Sequence, residues 1–565
     1  MSTSSTKTPA AGGHSKAYAL MASGTMVSRL LGFVRTALLA VAIGSVTSVA
    51  DIFEKANVIP TIIFMLLAGG IFNVVLVPQL IKASKAADRG SDYTSRLITL
   101  TVVVMAGFTL LLTLLAGPII TVLTKDWTGP MLALGTSFAY WSLPQVFFYG
   151  VYAVVGQVLN AHGRFGAYMW APVVNNLVQI AVIGVFLALF GPYAGQDQLA
   201  AWTPQQTLLL AGGATLGIAL QAAVLFIPLA RTGLDIRPKF GWRGMGLRHV
   251  GKIAAWTLAS MTVGNLASLA YARLVSSATA ARDALESGGA SVAGEYALNT
   301  SQLVTVLPHS IFALALATVL FNELSRAFAD GDRAAVGPLV AKGLRTTAVP
   351  VVFASVAFIV LAGPLGRIFG GTGPSAADAG AAIAQLLVLT ALGLPFKSIH
   401  FFLIRVFFAE EDTKTPMLIQ TTIAVGGLAA AYTMAAFIPA TRIAVGIALL
   451  YGVTNVLSAV LAHVLVVRRY GDYGTAGVAD TYIRIGWFSA LSGAVGAGVL
   501  WLMGGYDRGF AWDGIPNAIL TIAVVGSVML VVYLLLLRAA RVPELDEFLG
   551  PLARRIPSLR PSRRR

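Results

Sequence analysis

The chain has 565 residues, of which 57% are hydrophobic and only 11% charged, and its formal net charge is +16. Its mean hydropathy is +0.78. A soluble chain of this length needs far more charge to wet its surface, so a soluble globular protein is excluded and a multi-pass membrane protein is expected. Cysteine is absent, which excludes disulfides, thiolate nucleophiles and Cys-ligated metals.

Residues 1–17 are polar and rich in Ser, Thr and Gly, and read as a cytoplasmic N-terminus. No cleavage site follows the first apolar stretch, which is therefore expected to stay as a helix. Apolar windows with charged or Gly/Pro punctuation predict spans at 18–44, 56–81, 97–124, 131–160, 167–191 and 206–230. Six more follow at 253–276, 294–324, 346–370, 379–408, 416–438 and 443–467, and the last two at 485–504 and 515–537. Each is long enough to cross a hydrocarbon core of about 30 Å. The expected fold is all-α and polytopic, with about fourteen transmembrane helices.

Lys and Arg test this map. With the N-terminus in the cytoplasm, connections after even-numbered spans are cytoplasmic too. Four basic residues then lie from Lys82 to Arg96, six from Arg231 to Lys252 and four from Arg326 to Arg345. Lys7, Lys16 and the closing Arg563–Arg565 run join them, whereas the outside keeps Lys125, Arg282, Arg367, Arg442 and Arg508. This contrast follows the positive-inside rule, places both termini in the cytoplasm and leaves no role for nucleic acid.

Six basic residues remain within or at the edge of spans: Arg29, Arg35, Lys55, Arg273, Lys397 and Arg405. A charge at the bilayer centre costs roughly 2.5–3.5 kcal/mol on insertion scales, so it faces a wet cavity or a partner. Near a helix end it snorkels instead, the competing reading for Lys55, Arg273 and Arg405. Arg29 and Arg35 lie mid-span. Lys397 and His400, spaced i, i+3, share a face of span 10 and are expected to line the cavity. Acidic residues are sparse: Asp51 and Glu54 precede span 2, and Glu295 opens span 8. An excess of buried cations points to an anionic cargo.

The chain also repeats itself. Val58-Ile-Pro-Thr-Ile-Ile-Phe64 recurs as Val306-Leu-Pro-His-Ser-Ile-Phe312, each followed by Phe-Asn at 72–73 and 321–322. Val158-Leu-Asn-Ala161 corresponds to Val406-Phe-Phe-Ala409. Span 2 thus matches span 8, and span 4 matches span 10. An even number of spans preserves orientation, so the halves are parallel repeats with a cargo site between them. The expected organisation is an N-lobe over 18–230, a basic cytoplasmic linker over 231–252 and a C-lobe over 253–467. Two further helices within 485–537 and a basic cytoplasmic tail over 538–565 complete it.

Ser28-Arg-Leu-Leu-Gly-Phe-Val-Arg35, followed by Ala50-Asp-Ile-Phe53, resembles the opening of the MurJ (MviN) lipid II flippases of the MOP superfamily. Asn160-Ala-His-Gly-Arg-Phe165 with Pro172, and Ala315-Leu-Ala-Thr-Val-Leu320 with Leu324-Ser-Arg326, resemble later parts of that family. The resemblance runs over most of residues 20–470. It implies two six-helix lobes around a central cavity, with two C-terminal helices lining a groove for a polyprenyl tail. It implies a cargo of undecaprenyl-pyrophosphate-linked disaccharide-pentapeptide, flipped from the inner to the outer leaflet by alternating access. Guanidinium forks suit such a pyrophosphate. Carried over, the cargo contacts are Arg29, Arg35, Ser28 and Asp51. Ser28 shares a face with Arg35, and Arg29 lies about 120° away.

Departures from the family pattern are Phe64-Met65 and Leu303, where many members carry basic residues, and Thr36, where an acid is usual. Lys55, Arg273, Lys397 and His400 are the candidate replacements in the cavity. Spans 7, 11 and 12 hold no carboxylate for the sodium site of some members. Membrane potential or an ion gradient is the expected energy source, with His309 or Glu295 as coupling groups and no cofactor. Motifs for ATP hydrolysis and metal-dependent hydrolysis are absent from the sequence. Glu410-Glu411-Asp412 reads as a solvated turn. The expected partners are a lipid-linked cell-wall precursor, membrane lipids and proteins of cell-wall synthesis or division, around a monomer. The alternatives are a flippase for another polyprenyl-linked oligosaccharide and a cation-coupled drug exporter of the same superfamily.

Overall fold

A computed structural model of the protein describes residues 11–66, 77–83, 88–195, 198–241, 247–285, 292–506, 508–545 and 547. The repeat anchor at 72–73, Lys7, Lys85, Arg243 and the tail beyond 547 lie outside the described residues.

The N-lobe comprises α1 (Ala11–Ile43), α2 (Ser48–Leu66), α3 (Ser91–Leu114, continued by Ala116–Leu123), α4 (Gly129–Ala161), α5 (Phe165–Phe190) and α6 (Pro204–Ala230). The C-lobe comprises α7 (Leu247–Asp283), α8 (Glu295–Ala329), α9 (Arg333–Val360, continued by Ala362–Phe369), α10 (Ala376–Ala409), α11 (Lys414–Phe437) and α12 (Ile443–Tyr470). α13 (Thr475–Leu502) and α14 (Ile515–Ala539) follow. Ten of these helices are long and apolar enough to cross a membrane, and up to 12 if the bent α8 and α10 each count as one span. α2 and α7 complete the fourteen expected. The end of the bundle carrying the 231–241 connection is called the basic end below, and the opposite one the distal end.

The two halves pack alike. α1 lies on α5 and α7 on α11; α3 lies on α4 and α9 on α10; α4 contacts α6 as α10 contacts α12. α4 and α10 end at the matched alanines, Ala161 and Ala409. A further repeat appears at the breaks in α3 and α9, where Leu-Ala-Gly-Pro stands at both 115–118 and 361–364. Leu115 (φ −94°, ψ 13°) and Leu361 (φ −88°, ψ 9°) interrupt the helices with nearly the same backbone. A proline ring clashes with the carbonyl four residues earlier, so Pro118 and Pro364 end the preceding helices at Leu114 and Val360. α13 packs on α9 and α14, so the appended pair belongs to the side of the C-lobe.

Two expectations are corrected. α2 begins at Ser48 and not near residue 56, so Asp51 and Glu54 lie inside a helix and not before it. Charges at this position disfavour an apolar window, but contacts with the other lobe satisfy them. The Glu410–Asp412 turn is more than a solvated one. Arg469 pairs with both Glu410 and Asp412, and the Tyr470 hydroxyl donates to Glu410, which ties the α10–α11 turn to the end of α12.

Candidate functional site

The lobes are joined at the distal end. Asp51 on α2 is 1% exposed and accepts from Arg282 Nη2 of α7 at 2.6 Å. It also accepts from the Thr279 hydroxyl and from the Tyr296 backbone N–H of α8, each at 2.9 Å. One turn deeper, Lys55 Nζ meets Glu295 Oε2 at 2.6 Å and donates to the Ala272 carbonyl at 2.7 Å. Asn299 donates to Glu54 at 3.0 Å, and the Tyr296 hydroxyl to the Thr36 carbonyl at 2.8 Å. Trp127 Nε1 donates to the Ser276 carbonyl at 3.1 Å. Arg273 Nε caps the Val122 carbonyl at the end of α3, at 2.9 Å.

These contacts reassign four expected site residues. Asp51, Lys55, Arg273 and Glu295 hold the lobes together at the distal end and do not line an opening. Burial explains it for Asp51, Lys55 and Glu295, because a charge shut between helices needs an opposite charge, and each of these has one across the boundary. Arg273, only half-buried, reaches across to a backbone carbonyl. Gly294, which precedes α8, is required by the same packing, because a Cβ there would overlap the Asp51 carboxylate.

At mid-depth the arrangement changes. Ser28 and Arg35 do share a face of α1, as their spacing predicts, but that face meets α5. Asn176 donates to the Ser28 carbonyl at 2.9 Å and to its hydroxyl at 3.1 Å, and Arg35 Nη1 donates to Gln179 Oε1 at 3.3 Å. Arg35 also lies in electrostatic reach of Glu54, Tyr149 and Tyr296. Arg29, on another face of α1, lies within electrostatic reach of the C-lobe. His309 of α8 lies in electrostatic reach of both Arg29 and Lys397 of α10. Among the described residues neither Arg29 nor Lys397 has a hydrogen-bond or ion-pair partner, and both are partly buried.

The backbone around this group is irregular. His309 opens a π-helical turn, His309–Ala313, directly after Pro308, and α8 bends by 44° just beyond that turn, between Ala313 and Leu316. α10 bends by 41° at Gly393, one turn before Lys397. Such breaks re-aim side chains and are frequent at functional sites. His309 Nδ1 is 2.9 Å from the Ser398 hydroxyl, and its ring stands edge-on to Phe401 at 5.0 Å. Toward the basic end Arg405 lies over the rings of Phe401 and Phe321, at 4.7 and 5.6 Å. His400 is turned away from Lys397, with Nδ1 3.2 Å from the Ser458 carbonyl of α12. Phe64, one of the departures from the basic pair, stacks on Tyr149 at 4.6 Å. No group of three or more His, Asp or Glu that could hold a metal ion occurs among the described residues.

Two parallel six-helix lobes, bolted at one end, with a cation from each lobe in electrostatic reach of His309 at mid-depth, define a membrane transporter. A family model described as "Lipid II flippase MurJ" matches residues 39–511, and the chain belongs to that family. It is 27% identical over 412 residues to a probable lipid II flippase MurJ of Rhizobium meliloti, covering 71% of this chain and 72% of the relative. It is 24% identical over 536 residues to the corresponding protein of Synechocystis, covering 93% and 95%. Among solved structures it is similar to one described as lipid II flippase MurJ in an inward closed conformation. There the TM-score is 0.66 at 18% identity, covering 94% of this chain and 99% of that one. It is also similar to an inward-facing MATE family multidrug transporter of the MOP superfamily, with a TM-score of 0.62 at 13% identity, covering 79% and 96%. The fold is thus that of the superfamily, and the function is transport, not enzymatic catalysis. Lipid II is the cargo that the family's description names.

Proposed function

We propose that this chain moves lipid II from the leaflet at its basic end to the opposite leaflet by alternating access. The structure then corresponds to the state closed at the distal end. The carrying observation is the contrast along the lobe boundary: paired charges join the lobes distally, whereas among the described residues Arg29 and Lys397 stand unpaired at mid-depth from opposite lobes. A pyrophosphate entering from the basic end meets Arg405 first and then bridges Arg29 and Lys397, with its polyprenyl tail left in the bilayer. Two cations fixed on separate lobes gain more from one shared dianion than either gains from water, so cargo draws the lobes together there. That rocking strains the distal pairs and opens the other side. Membrane potential or an ion gradient resets the cycle without a cofactor. The positive-inside distribution supports a cytoplasmic basic end in the bacterial inner membrane.

The test is a sidedness assay in proteoliposomes with labelled lipid II. The Arg29→Ala, Lys397→Ala double variant is expected to leave the label on the side of loading while retaining the fold by circular dichroism. Wild-type flipping by that double variant removes the proposal.

A further inference from the structure

A cavity of about 500 Å³ lies at the basic end between α9, the α12–α13 connection and the segment after α14. Its charged lining has both signs: Lys342 and Arg345 on one side, Asp472, Glu544 and Glu547 on the other. The apolar stretch of α9 starts directly after Arg345, and that of α13 directly after Arg484. The cavity therefore stands at the level of lipid headgroups.

The carboxylates are held in place. Glu547 accepts from the Thr346 hydroxyl at 3.0 Å, Glu544 from the Thr481 hydroxyl at 3.3 Å, and Asp472 from the Thr475 N–H at 2.9 Å. Capacity is nonetheless left over on both signs. Glu544 is 6% exposed, yet among the described residues its buried Oε2 has no hydrogen-bond partner and only a loose ion pair, 3.5 Å from Arg484 Nη2. Arg345 Nε is buried and equally unpartnered. Lys342 is exposed and makes no ion pair among the described residues. Room beside Arg345 comes from Gly477, where a Cβ would approach the guanidinium at 3.0 Å. Buried charged atoms left unmatched are costly, and they call for a partner that supplies what the protein does not.

An anion alone would face three carboxylates, and a cation alone would face Lys342 and Arg345. We propose that the cavity binds a phosphoethanolamine headgroup, with its phosphate on Lys342 and Arg345 and its ammonium on Glu544 and Glu547. A primary ammonium donates hydrogen bonds to the Glu544 and Glu547 carboxylates; a quaternary one has no N–H to donate. Basic pockets between helices at this level are established lipid sites, and the mixed lining selects a zwitterion. Because the lining comes from α9 and from both sides of the α13–α14 pair, occupancy clamps that pair onto the C-lobe.

The thermal unfolding midpoint of the full chain, in phosphatidylcholine nanodiscs, tests this with phosphatidylethanolamine, phosphatidylglycerol or extra phosphatidylcholine added at equal mole fraction. Phosphatidylethanolamine is expected to raise the midpoint by several degrees, and the other two by less than half as much. Lys342→Gln, an exposed change that spares the fold, and Glu544→Gln should each remove at least half of that difference. Soluble glycerophosphoethanolamine distinguishes the source. A shift from the lipid alone supports a membrane headgroup, and an equal shift from the soluble ester supports the same site filled from the cytoplasm. Equal shifts from all three lipids, a larger shift from phosphatidylglycerol, or an ethanolamine effect unchanged in Lys342→Gln overturns the proposal.

Discussion

Asp51→Ala is expected to open the distal end of the cleft. The change leaves the Arg282 guanidinium, the Thr279 hydroxyl and the Tyr296 N–H without their common acceptor in a site 1% exposed at Asp51. Removing one partner of a buried pair costs about 3–5 kcal/mol, because the other charge stays buried without compensation. That cost falls on the closed state alone, since Arg282 regains water once the lobes part. The absence of native cysteine permits a clean readout. Val46, at the α1–α2 connection, is buried in the C-lobe core, so Val46→Cys reports whether the lobes are apart. An impermeant maleimide added from the distal side should label this residue slowly in the parent. Labelling should be at least tenfold faster with Asp51→Ala. Gly294→Ala should act in the same direction, because its added Cβ displaces the carboxylate; its backbone (φ −116°, ψ −156°) suits any residue. If Val46→Cys reacts at the parent rate in both variants, the Asp51–Arg282 pair is not what closes this end.

Arg29→Ala is expected to lower flipping by roughly tenfold to a hundredfold, the equivalent of one charge-assisted hydrogen bond of about 1.5–3 kcal/mol. Arg29 has no hydrogen-bond or ion-pair partner to lose among the described residues, so the change removes a positive charge near His309 while leaving those contacts intact. Arg29→Lys should restore part of the rate, because a point charge replaces a fork that binds two phosphate oxygens. Arg35→Ala should weaken flipping less, since that guanidinium is already committed to Gln179 and lies near Glu54. The initial flipping rates of the three variants, measured at equal protein density, decide the order. Equal losses at Arg29 and Arg35 would mean that the face of α1 toward α5, and not the face toward the C-lobe, receives the cargo.

The Gly294 contact shows where sequence reading stops. Nothing around this glycine marks it, because its backbone is ordinary and its reason lies 243 positions away at Asp51. The two breaks at Leu115 and Leu361 show the opposite case. Proline chemistry is local, so the repeated Leu-Ala-Gly-Pro is readable in the sequence and marks the repeat more sharply than the Val-x-Pro segments. The shared face of Ser28 and Arg35 was likewise readable from helix geometry, but not what that face would meet.

Hydrophobic length, the placement of Lys and Arg, and the near-identical order of segments in two halves determined by themselves that this is a fourteen-helix membrane protein of two parallel lobes. Each of those signals is summed over many residues and survives errors at any one. Which cations stay free was decided only by tertiary structure. Lys55 and Arg29 are both basic residues in apolar surroundings of the chain, yet one meets Glu295 across the lobe boundary and the other meets no carboxylate among the described residues. Pairing depends on side chains brought together from distant helices, and a sequence carries no direct record of that distance.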